Sequence, residues 1–310
     1  MTATGRAHSD PELDIGGRRV RVTNPDRVLW PATGFTKRAM LAYYERVADV
    51  LLPHVRDRGL TLRRFPEGVD GPGWYQANCR GHPPWVRTHD VVGRRGGRLR
   101  YCVIDDTAGL AWAANLGTIE FHPFLATTDR PDEPTALVLD LDPGPPAGLT
   151  RCAQLAIELR RLLHGLGLEA VAKTSGGLGL HVYVPLAPGH SFAATKAFAR
   201  AIAATLARRW PDRVIDRTAR SERAGRVLID WVQNDVSRST VAPYSLRAMP
   251  WPLVSTPVTW AEVAAAADGA RGRRLVFGPD EVVERVRRFG DLFEPALSRA
   301  GVLPDPTAVA

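Results

Sequence analysis

The 310-residue sequence is poor in cysteine and contains no long apolar run. Its three cysteines, Cys79, Cys102 and Cys152, are widely spaced and form no CxxC pair, so neither a disulfide framework nor a cysteine zinc site is predicted. We expect all three to be reduced packing residues. The apolar runs are much shorter than the roughly 18 to 20 residues of a membrane helix, and the N-terminus lacks the apolar core of a signal peptide. These absences favour a cytoplasmic protein without a membrane partner.

Lysine is also scarce, since it occurs only at positions 37, 173 and 196. Lys and Arg together nevertheless number 41 against 33 Asp and Glu, which gives a formal net charge of +8. A basic chain attracts polyanions such as nucleic acid over long distances. Because nearly all of the basic residues are arginine, genomic base composition is an alternative source of the excess.

The patterns of apolar residues predict a mixed α/β fold, and 45% of the residues are hydrophobic, as in ordinary globular proteins. Helical spacing is found at 33–55, 148–167, 191–210 and 279–291. Strand-like runs are found at 98–106, 135–142, 168–175, 179–186 and 226–233.

Signals for helix ends accompany these segments. We expect Thr36, Thr150 and Ser191 to be the N-caps of the first three helices, and Pro53 to end the first. A capping-box pattern at 259–262 predicts one further helix.

The chain reads as one domain with short tails. The first dozen residues are polar, so we expect 1–12 to be a disordered tail, 13–300 a single domain and 301–310 a C-terminal tail. No interaction surface can be identified from the sequence, and we expect a monomer.

The segment LVLDLDPG, 137–144, places two carboxylates inside an apolar strand. A period of two puts its leucines on one face, which we expect to be core, and Val138, Asp140 and Asp142 on the other. The two carboxylates then lie about 7 Å apart, and a divalent cation such as Mn²⁺ or Mg²⁺ would neutralise them. The alternative is a half-exposed strand whose aspartates face solvent before a Pro-Gly turn.

A third carboxylate, Asp230, interrupts the apolar strand of VLIDWVQND. Three carboxylates from two strands are the donor set that two-metal phosphoryl transfer requires. Asp140, Asp142 and Asp230 are therefore the predicted catalytic and metal-binding residues.

The glycine turn in KTSGGLGLHVYVP, 173–185, offers complementary chemistry. Its glycines can present backbone N–H groups to anionic oxygens, and His181 on the following strand can donate to the same group. The segment is neither a Walker A loop nor a GxGxxG opening a helix. A plain hairpin turn is the alternative.

Four motifs in this order, DLDPG, SGGLGLHVYVP, IDWVQND and TVAPYSLR, resemble the archaeo-eukaryotic primase superfamily. The resemblance is closest to the polymerase domain of bacterial ligase D, an enzyme of non-homologous end joining, and runs from about Val20 to about Leu292. It implies a catalytic core of mostly antiparallel mixed sheets flanked by helices, with the three aspartates as metal ligands. It also implies nucleotide-binding roles for Ser175, Gly177, His181, His122 in IEFHPF and Arg247 in YSLR.

The N-terminal segment TNPDRVLWPATGFTK resembles the family's element for recognising a DNA 5′-phosphate, with Arg27 and Lys37 at its two basic positions. Arg27 stands where the family often has lysine, and a guanidinium does not replace an ammonium equivalently. Trp74 and Tyr75 match aromatics that stack on the template strand, for which core packing is the alternative.

Gln233 and Arg223 match polar family positions near the template or the active site.

The resemblance implies a template-dependent polymerase that adds NTPs, preferentially ribonucleotides, to DNA primers in gap filling and non-homologous end joining. The expected partners are DNA with a 5′-phosphorylated gap or broken end, NTP or dNTP, a Ku-type end-binding protein and a separate DNA ligase. The chain ends at Ala310 without a ligase or nuclease domain, so we expect a stand-alone or excised domain of a bacterial, nucleoid-associated protein. The alternatives are a non-catalytic DNA-end-binding module that recruits repair partners, and a metal-dependent nuclease.

Overall fold

The computed structural model describes residues 11–92, 96–217, 222–269, 275–298 and 300–309. The helices of these ranges are α1 (Lys37–Arg46), α2 (Ala48–Val55), α3 (Thr107–Asn115), α4 (Leu149–Gly165), α5 (Phe192–Arg209), α6 (Trp260–Ala267) and α7 (Pro279–Phe289). The strands are β1 (Glu12–Ile15), β2 (Arg18–Arg21), β3 (Val28–Trp30), β4 (Phe35–Thr36), β5 (Leu60–Arg64), β6 (Trp74–Gln76), β7 (Arg87–Val92), β8 (Arg98–Val103), β9 (Thr118–Pro123), β10 (Ala126–Thr127), β11 (Arg130–Pro134), β12 (Ala136–Pro143), β13 (Val171–Thr174), β14 (Leu180–Pro185), β15 (Val214–Ile215), β16 (Val227–Asp230), β17 (Leu246–Ala248), β18 (Pro252–Val254) and β19 (Pro257–Val258).

A six-stranded sheet with the order β15-β16-β12-β14-β13-β19 carries the acidic strand near its centre. Its neighbouring strands are antiparallel except for the parallel pair β15 and β16. Leu137, Leu139 and Leu141 are fully buried, as the period of two predicted, and α4 and α5 pack against this sheet. The mixed α/β fold with mostly antiparallel sheets is confirmed.

A five-stranded sheet lies beside the first, with the order β6-β5-β8-β7 and with β9 also paired to β5. Two-stranded pairs complete the described part: β1 with β2, β3 with β4, β10 with β11, and β17 with β18. One continuous apolar cluster contains Leu62 and Phe121 of the second sheet together with Leu139 and Val182 of the first. This shared core fixes the two sheets relative to each other.

Several predicted helix starts are confirmed by their capping hydrogen bonds. Thr36 Oγ1 accepts from Ala39 N at 3.2 Å, and Ser191 Oγ accepts from Ala194 N at 3.2 Å. The capping box at 259–262 is also present.

Two predicted helix ends are wrong. Gly148, not Thr150, is the N-cap of α4, and it supplies no side-chain bond, since the helix already begins at Leu149. Pro53 lies inside α2, because the helical run breaks at Val47 and a new helix starts after it. Proline has no backbone N–H to donate, so the helix loses one hydrogen bond at Pro53. The loss falls near the end of α2, because only two residues of the helix follow Pro53.

The prediction of three reduced cysteines is wrong for two of them. Cys79 and Cys102 form a disulfide with a Cα–Cα distance of 4.9 Å, while Cys152 is free and buried. The chain after β6 runs beside β8, where Cys79 N donates to Arg100 O at 2.6 Å. This pairing brings together two cysteines 23 residues apart, a proximity that their spacing does not reveal.

Parts of both predicted tails, 1–12 and 301–310, fall within the residues that the structure describes. Residues 1–10 lie outside them, whereas Glu12 already belongs to β1. Beyond residue 300, Gly301 bridges to Leu186 and Val309 is buried, so the packed chain continues past the predicted boundary. Among the described helices, none combines the length and apolar character that a bilayer span requires.

Candidate active site

The register of the six-stranded sheet aligns a row of polar residues across four strands. Asp230 on β16 lies opposite Asp140 on β12, which lies opposite His181 on β14, which in turn lies opposite Lys173 on β13. Directly opposed residues project from the same face of a sheet, so these side chains form one continuous row. The structure therefore brings together two of the predicted carboxylates and the predicted histidine.

A cavity of about 530 Å³ opens over this row. The predicted site residues that line it are Tyr75, His122, Asp140, Asp142, Ser175, His181, Gln233 and Arg247. They come from both large sheets, from the glycine turn and from β17, so the cavity lies where these parts of the fold meet.

The carboxylates of the row concentrate negative charge. Burial and the carboxylates of Asp142 and Asp230 raise the pKa of Asp140 well above its usual range, and burial with Asp230 raises the pKa of Asp142. Asp140 Oδ1 is buried and accepts no hydrogen bond within the described residues, and His181 Nε2 lies 3.3 Å from it. The site thus holds acceptor oxygens that a cation would complete.

The Asp230 carboxylate is partly engaged by the protein. Its oxygens accept from Val232 N and from Gln233 Nε2, each at 3.0 Å, and so cap the 3₁₀ turn Trp231–Gln233. Each oxygen keeps a lone pair beyond these bonds. Across the ranges that the structure describes, no group of three His, Cys, Asp or Glu side chains is arranged to hold a metal ion in this conformation.

Lys173 ends the row and was missed from the sequence. It is fully buried, its Nζ donates to Ser255 Oγ at 2.7 Å, and burial lowers its pKa well below the usual range. The nearby Asp140 carboxylate opposes that shift in the pKa of Lys173. One of only three lysines in the chain, placed within a strand, was the available signal.

His181 lies between Asp140 and Lys173 in a buried position. Burial, followed by the charges of Lys173 and Arg247, lowers the pKa of His181 well below its usual range, so the imidazole is neutral at pH 7. Its ring stacks on Tyr183 with a centroid distance of 6.3 Å. A neutral imidazole can donate from one ring nitrogen and accept at the other.

The glycine turn packs directly against the end of the acidic strand. Ser175 N donates to Gly179 O at 3.0 Å, and Gly179 N donates to Ser175 Oγ at 3.2 Å. A Cβ on Gly179 would lie 2.6 Å from Leu141 O, which explains the need for glycine at this contact. The amides of 176, 177 and 178 make no hydrogen bond within the described residues, so the backbone at Gly177 can bind a ligand.

The Arg247 side chain lies over the same turn. Gly176 has a φ of +78°, and a Cβ there would come within 2.3 Å of Arg247 Cγ. A glycine is needed at this position because a side chain would both strain the backbone and displace the arginine.

Glu120 is a second residue that was missed, although it lies two positions before His122. Its carboxylate is fully buried and accepts from Arg63 Nη1 at 2.8 Å, from His122 Nε2 at 2.8 Å and from Ala248 N at 2.9 Å. Burial alone would raise the pKa of Glu120, but His122, Arg247 and the Ala248 amide lower it to about 2. The carboxylate therefore stays ionised beneath the cavity.

The predicted aromatic pair lies on the surface beside the cavity. Trp74 and Tyr75 are 45% and 60% exposed, so the alternative of core packing is wrong. The guanidinium groups of Arg64 and Arg63 lie 5.2 and 5.3 Å from their respective ring centroids. Tyr75 also meets His122 edge-on at 5.6 Å, which connects this aromatic surface to the cavity.

The backbones of Arg27 and Lys37 are hydrogen-bonded to each other, but their charged side-chain groups have different partners. Lys37 N donates to Arg27 O at 2.8 Å. The Lys37 ammonium is buried and donates to Thr23 O at 2.7 Å and Asn115 O at 2.8 Å, whereas the Arg27 guanidinium pairs with Glu67 at 2.5 Å. Neither side chain lines the cavity.

Arg223 approaches the acidic strand from the segment before β16. Its charge lowers the pKa of Asp142, and a Cβ on Gly144 would collide with Arg223 O at 1.9 Å. Arg223 therefore packs against the turn that follows the two aspartates.

Comparison with known proteins shows which family the chain belongs to. The family described as "LigD, primase-polymerase domain" matches residues 36–293. The LigD protein of Mycolicibacterium smegmatis is 39% identical over 280 residues, covering 89% of this chain and 36% of that protein. The LigD protein of Mycobacterium tuberculosis is 40% identical over 286 residues, covering 89% of this chain and 37% of that protein.

A solved structure supports the same assignment. The polymerase domain from Mycobacterium tuberculosis ligase D in complex with DNA matches with a TM-score of 0.84 and 37% identity, over 91% of this chain and 99% of that one. The chain spans little more than a third of the length of the full mycobacterial LigD proteins.

Proposed function

The chain belongs to the LigD primase-polymerase family, and from that premise we propose that it is a template-dependent nucleotidyltransferase that extends DNA primers during the repair of broken ends. The observation that carries the proposal is one cavity lined by Asp140 and Asp142, by Ser175 of the glycine turn and by Tyr75 of the exposed aromatic pair. These three features match the needs of a primer terminus, a triphosphate and a template base.

Each group of residues has a separate role in the proposed reaction. His181, the Gly177 backbone and Arg247 bind the triphosphate, while Tyr75 and Trp74 stack on the template strand. The primer 3′-hydroxyl attacks the α-phosphorus in line and loses its proton to water, the new phosphodiester bond forms, and pyrophosphate leaves with the bonding electrons. Asp140, Asp142 and Asp230 place their own carboxylate oxygens beside the reacting phosphorus.

We propose that the same three aspartates hold divalent cations, Mn²⁺ or Mg²⁺. The incomplete buried oxygen of Asp140 and the raised pKa values of Asp140 and Asp142 support a bound cation. The chemistry that such cations would supply when held by Asp140, Asp142 and Asp230 is a lower pKa of the attacking hydroxyl and neutralisation of charge on the leaving pyrophosphate.

The finer properties are part of the same proposal. We propose a preference for ribonucleotides, the use of a 5′-phosphorylated gap, and cooperation with a Ku-type protein and a separate ligase, as the resemblance to the family implies. For the 5′-phosphate, Arg27 is the better supported of the two basic residues, since its side chain is partly exposed while Lys37 is buried among carbonyl acceptors.

Primer extension tests the proposal. The wild-type chain is incubated with labelled primer, 5′-phosphorylated gapped template, Mn²⁺ and either NTPs or dNTPs, and growth of the primer is expected. Asp142→Ala should abolish growth, whereas Asp132→Ala, which removes an exposed carboxylate on β11 outside the cavity, should not. Absence of growth with the wild-type chain, or full activity of Asp142→Ala, would contradict the proposal.

The same gel separates the rival functions. A non-catalytic end-binding module leaves the primer unchanged, and a nuclease shortens it without added nucleotide. The glycine turn has backbone amides that make no hydrogen bond within the described residues, and His181 lines the same cavity as Ser175, which favours a triphosphate ligand and therefore extension.

A further inference from the structure

A ladder of side chains crosses the second sheet beneath the cavity. On neighbouring strands, Tyr75 of β6 lies opposite Arg63 of β5, and Arg63 lies opposite Glu120 of β9. The Arg63 guanidinium donates to Glu120 Oε1 at 2.8 Å and lies 5.3 Å from the Tyr75 ring centroid. Glu120 thus reaches the aromatic surface through one arginine.

The other contacts of Glu120 lie on the side of the proposed nucleotide site. His122 Nε2 donates to Oε2 at 2.8 Å, Arg247 Nε lies 3.6 Å from Oε1, and Ala248 N donates to Oε1 at 2.9 Å. The last bond fixes the backbone of β17 next to Arg247. Both His122 and Arg247 line the cavity, whereas Glu120 does not.

The arrangement is more than an ion pair that stabilises the core. A buried carboxylate needs compensation, but one bidentate arginine would supply it. Glu120 instead accepts hydrogen bonds from His122, from Arg63, which lies behind the exposed Tyr75 ring, and from the backbone of β17, the strand that carries Arg247. Each partner belongs to a binding element that faces the cavity or borders it.

We propose that Glu120 is a positioning residue that aligns the nucleotide-facing pair His122 and Arg247 with the template-facing Tyr75, which it holds through Arg63. The proposal rests on the function proposed above. Because one anchor serves both sides, its loss weakens the binding of nucleotide and of template together, although Glu120 contacts neither.

Three variants test this role. Glu120→Gln keeps the shape and removes the charge, and Arg63→Met disconnects only the template side. Glu262→Gln is the control, because Glu262 is a half-buried glutamate that is likewise paired with an arginine, Arg285 at 2.6 Å, and it lies outside the cavity. The readouts are the KM for nucleotide, kcat, the thermal unfolding midpoint and, without nucleotide or metal, the Kd for a labelled single-stranded template overhang.

A hydrogen bond to a charged group is typically worth a factor of about ten or more in the equilibrium between the arrangement that keeps it and one that does not. Glu120→Gln should therefore raise the KM for nucleotide and the template Kd each about tenfold, with a smaller change in kcat. Arg63→Met should raise the template Kd and leave the KM nearly unchanged. Glu262→Gln should alter only the unfolding midpoint.

A Glu120→Gln variant that lowers the unfolding midpoint but keeps both binding constants would show a structural role and overturn the proposal. If Glu120→Gln does not fold, unchanged template binding by Arg63→Met would overturn it as well. A wild-type chain that binds the overhang but extends no primer contradicts the proposed function instead, and so the two failures are distinguishable.

Discussion

At the scale of single residues, the site is defined by charges that are buried beside one another. Lys173, Glu120 and Asp140 all lie below the surface, and each has a charged or strongly polar neighbour. Ionised groups in such positions persist only where partners compensate the lost hydration. The residues that compensate the lost hydration of these groups therefore help to set the charges of the site, even when they do not contact a substrate.

Lys173→Met tests this compensation. The Lys173 charge lowers the pKa of Asp140, so its loss should raise that pKa further. The same substitution removes a positive charge that repels a cation at the carboxylates. We expect the Mn²⁺ dissociation constant, measured by calorimetry without nucleotide, to fall about tenfold, because the lost repulsion favours a doubly charged cation more than a proton. The unfolding midpoint should fall, because the buried Asp140 carboxyl and Ser255 Oγ lose a partner that methionine cannot replace.

Lys196→Met serves as the comparison, since Lys196 forms a partly exposed pair with Asp235 at 2.7 Å. It should leave Mn²⁺ binding unchanged. An equal effect of the two substitutions would argue against a specific role for Lys173.

Glu120 also predicts a dependence of stability on pH. Its pKa is about 2 in the folded chain against an ordinary value of 4.5, so the unfolded chain binds more protons between these values. The contribution of Glu120 to stability is therefore complete above about pH 4.5 and is lost as the pH falls toward 2, with a total on the order of 3 kcal/mol.

Urea unfolding of the wild type and Glu120→Gln at several pH values measures this contribution. The gap between their free energies of unfolding should narrow from pH 5 to pH 2, because glutamine does not titrate. Parallel curves over that range would contradict the low pKa.

Residue types were predictable from the sequence where a motif carried them. Asp140, Asp142, His181 and Tyr75 all stand in short patterns with a chemical meaning, and the structure places all four at the cavity. Lys173 and Glu120 were not predicted, because their importance comes from neighbours on other strands. A buried ion pair leaves no periodic signal in the sequence of one strand.

At the scale of elements, the decisive property is strand register. Alternation along β12 and β14 was readable from the sequence, and it correctly separated the buried leucines from the aspartates. Alternation does not reveal which residue of β16 lies opposite Asp140, since that depends on how the strands pair. The register that aligns Asp140 with both Asp230 and His181 is a product of the sheet as a whole.

The glycine turn provides a test at this scale. A Cβ on Gly179 would lie 2.6 Å from the carbonyl oxygen of Leu141, and neither backbone can move without disturbing β12. Gly179→Ala should therefore lower the free energy of unfolding by about 1–3 kcal/mol. Gly177→Ala is the matched control, because the nearest atom to its Cβ would be 3.7 Å away and its change should stay within about 0.5 kcal/mol.

Chemical denaturation of both variants gives the two free energies directly. Equal stability of Gly179→Ala and Gly177→Ala would mean that the turn does not press against the acidic strand as described.

At the scale of the whole molecule, the site depends on contacts between distant parts of the chain. The cavity joins residues of β6, β9, β12, β14 and β17, which the common apolar core holds in place. The disulfide between Cys79 and Cys102 was not predicted, for the same reason that Glu120 was not: both depend on tertiary pairing. The fold class was predictable because it needs only the pattern and order of the elements.

The overall charge of +8 gives the last prediction. If the basic residues bind nucleic acid, affinity for a gapped duplex should fall steeply with salt, because each neutralised phosphate releases counterions. A site that neutralises about four phosphates should lose roughly a hundredfold in affinity between 50 and 200 mM salt. Fluorescence anisotropy over this range measures the slope, and Asp142→Ala should share it, since that aspartate faces the cavity and not the phosphates of the duplex. A flat salt dependence would mean that the arginine excess reflects the base composition of the genome and not the binding of DNA.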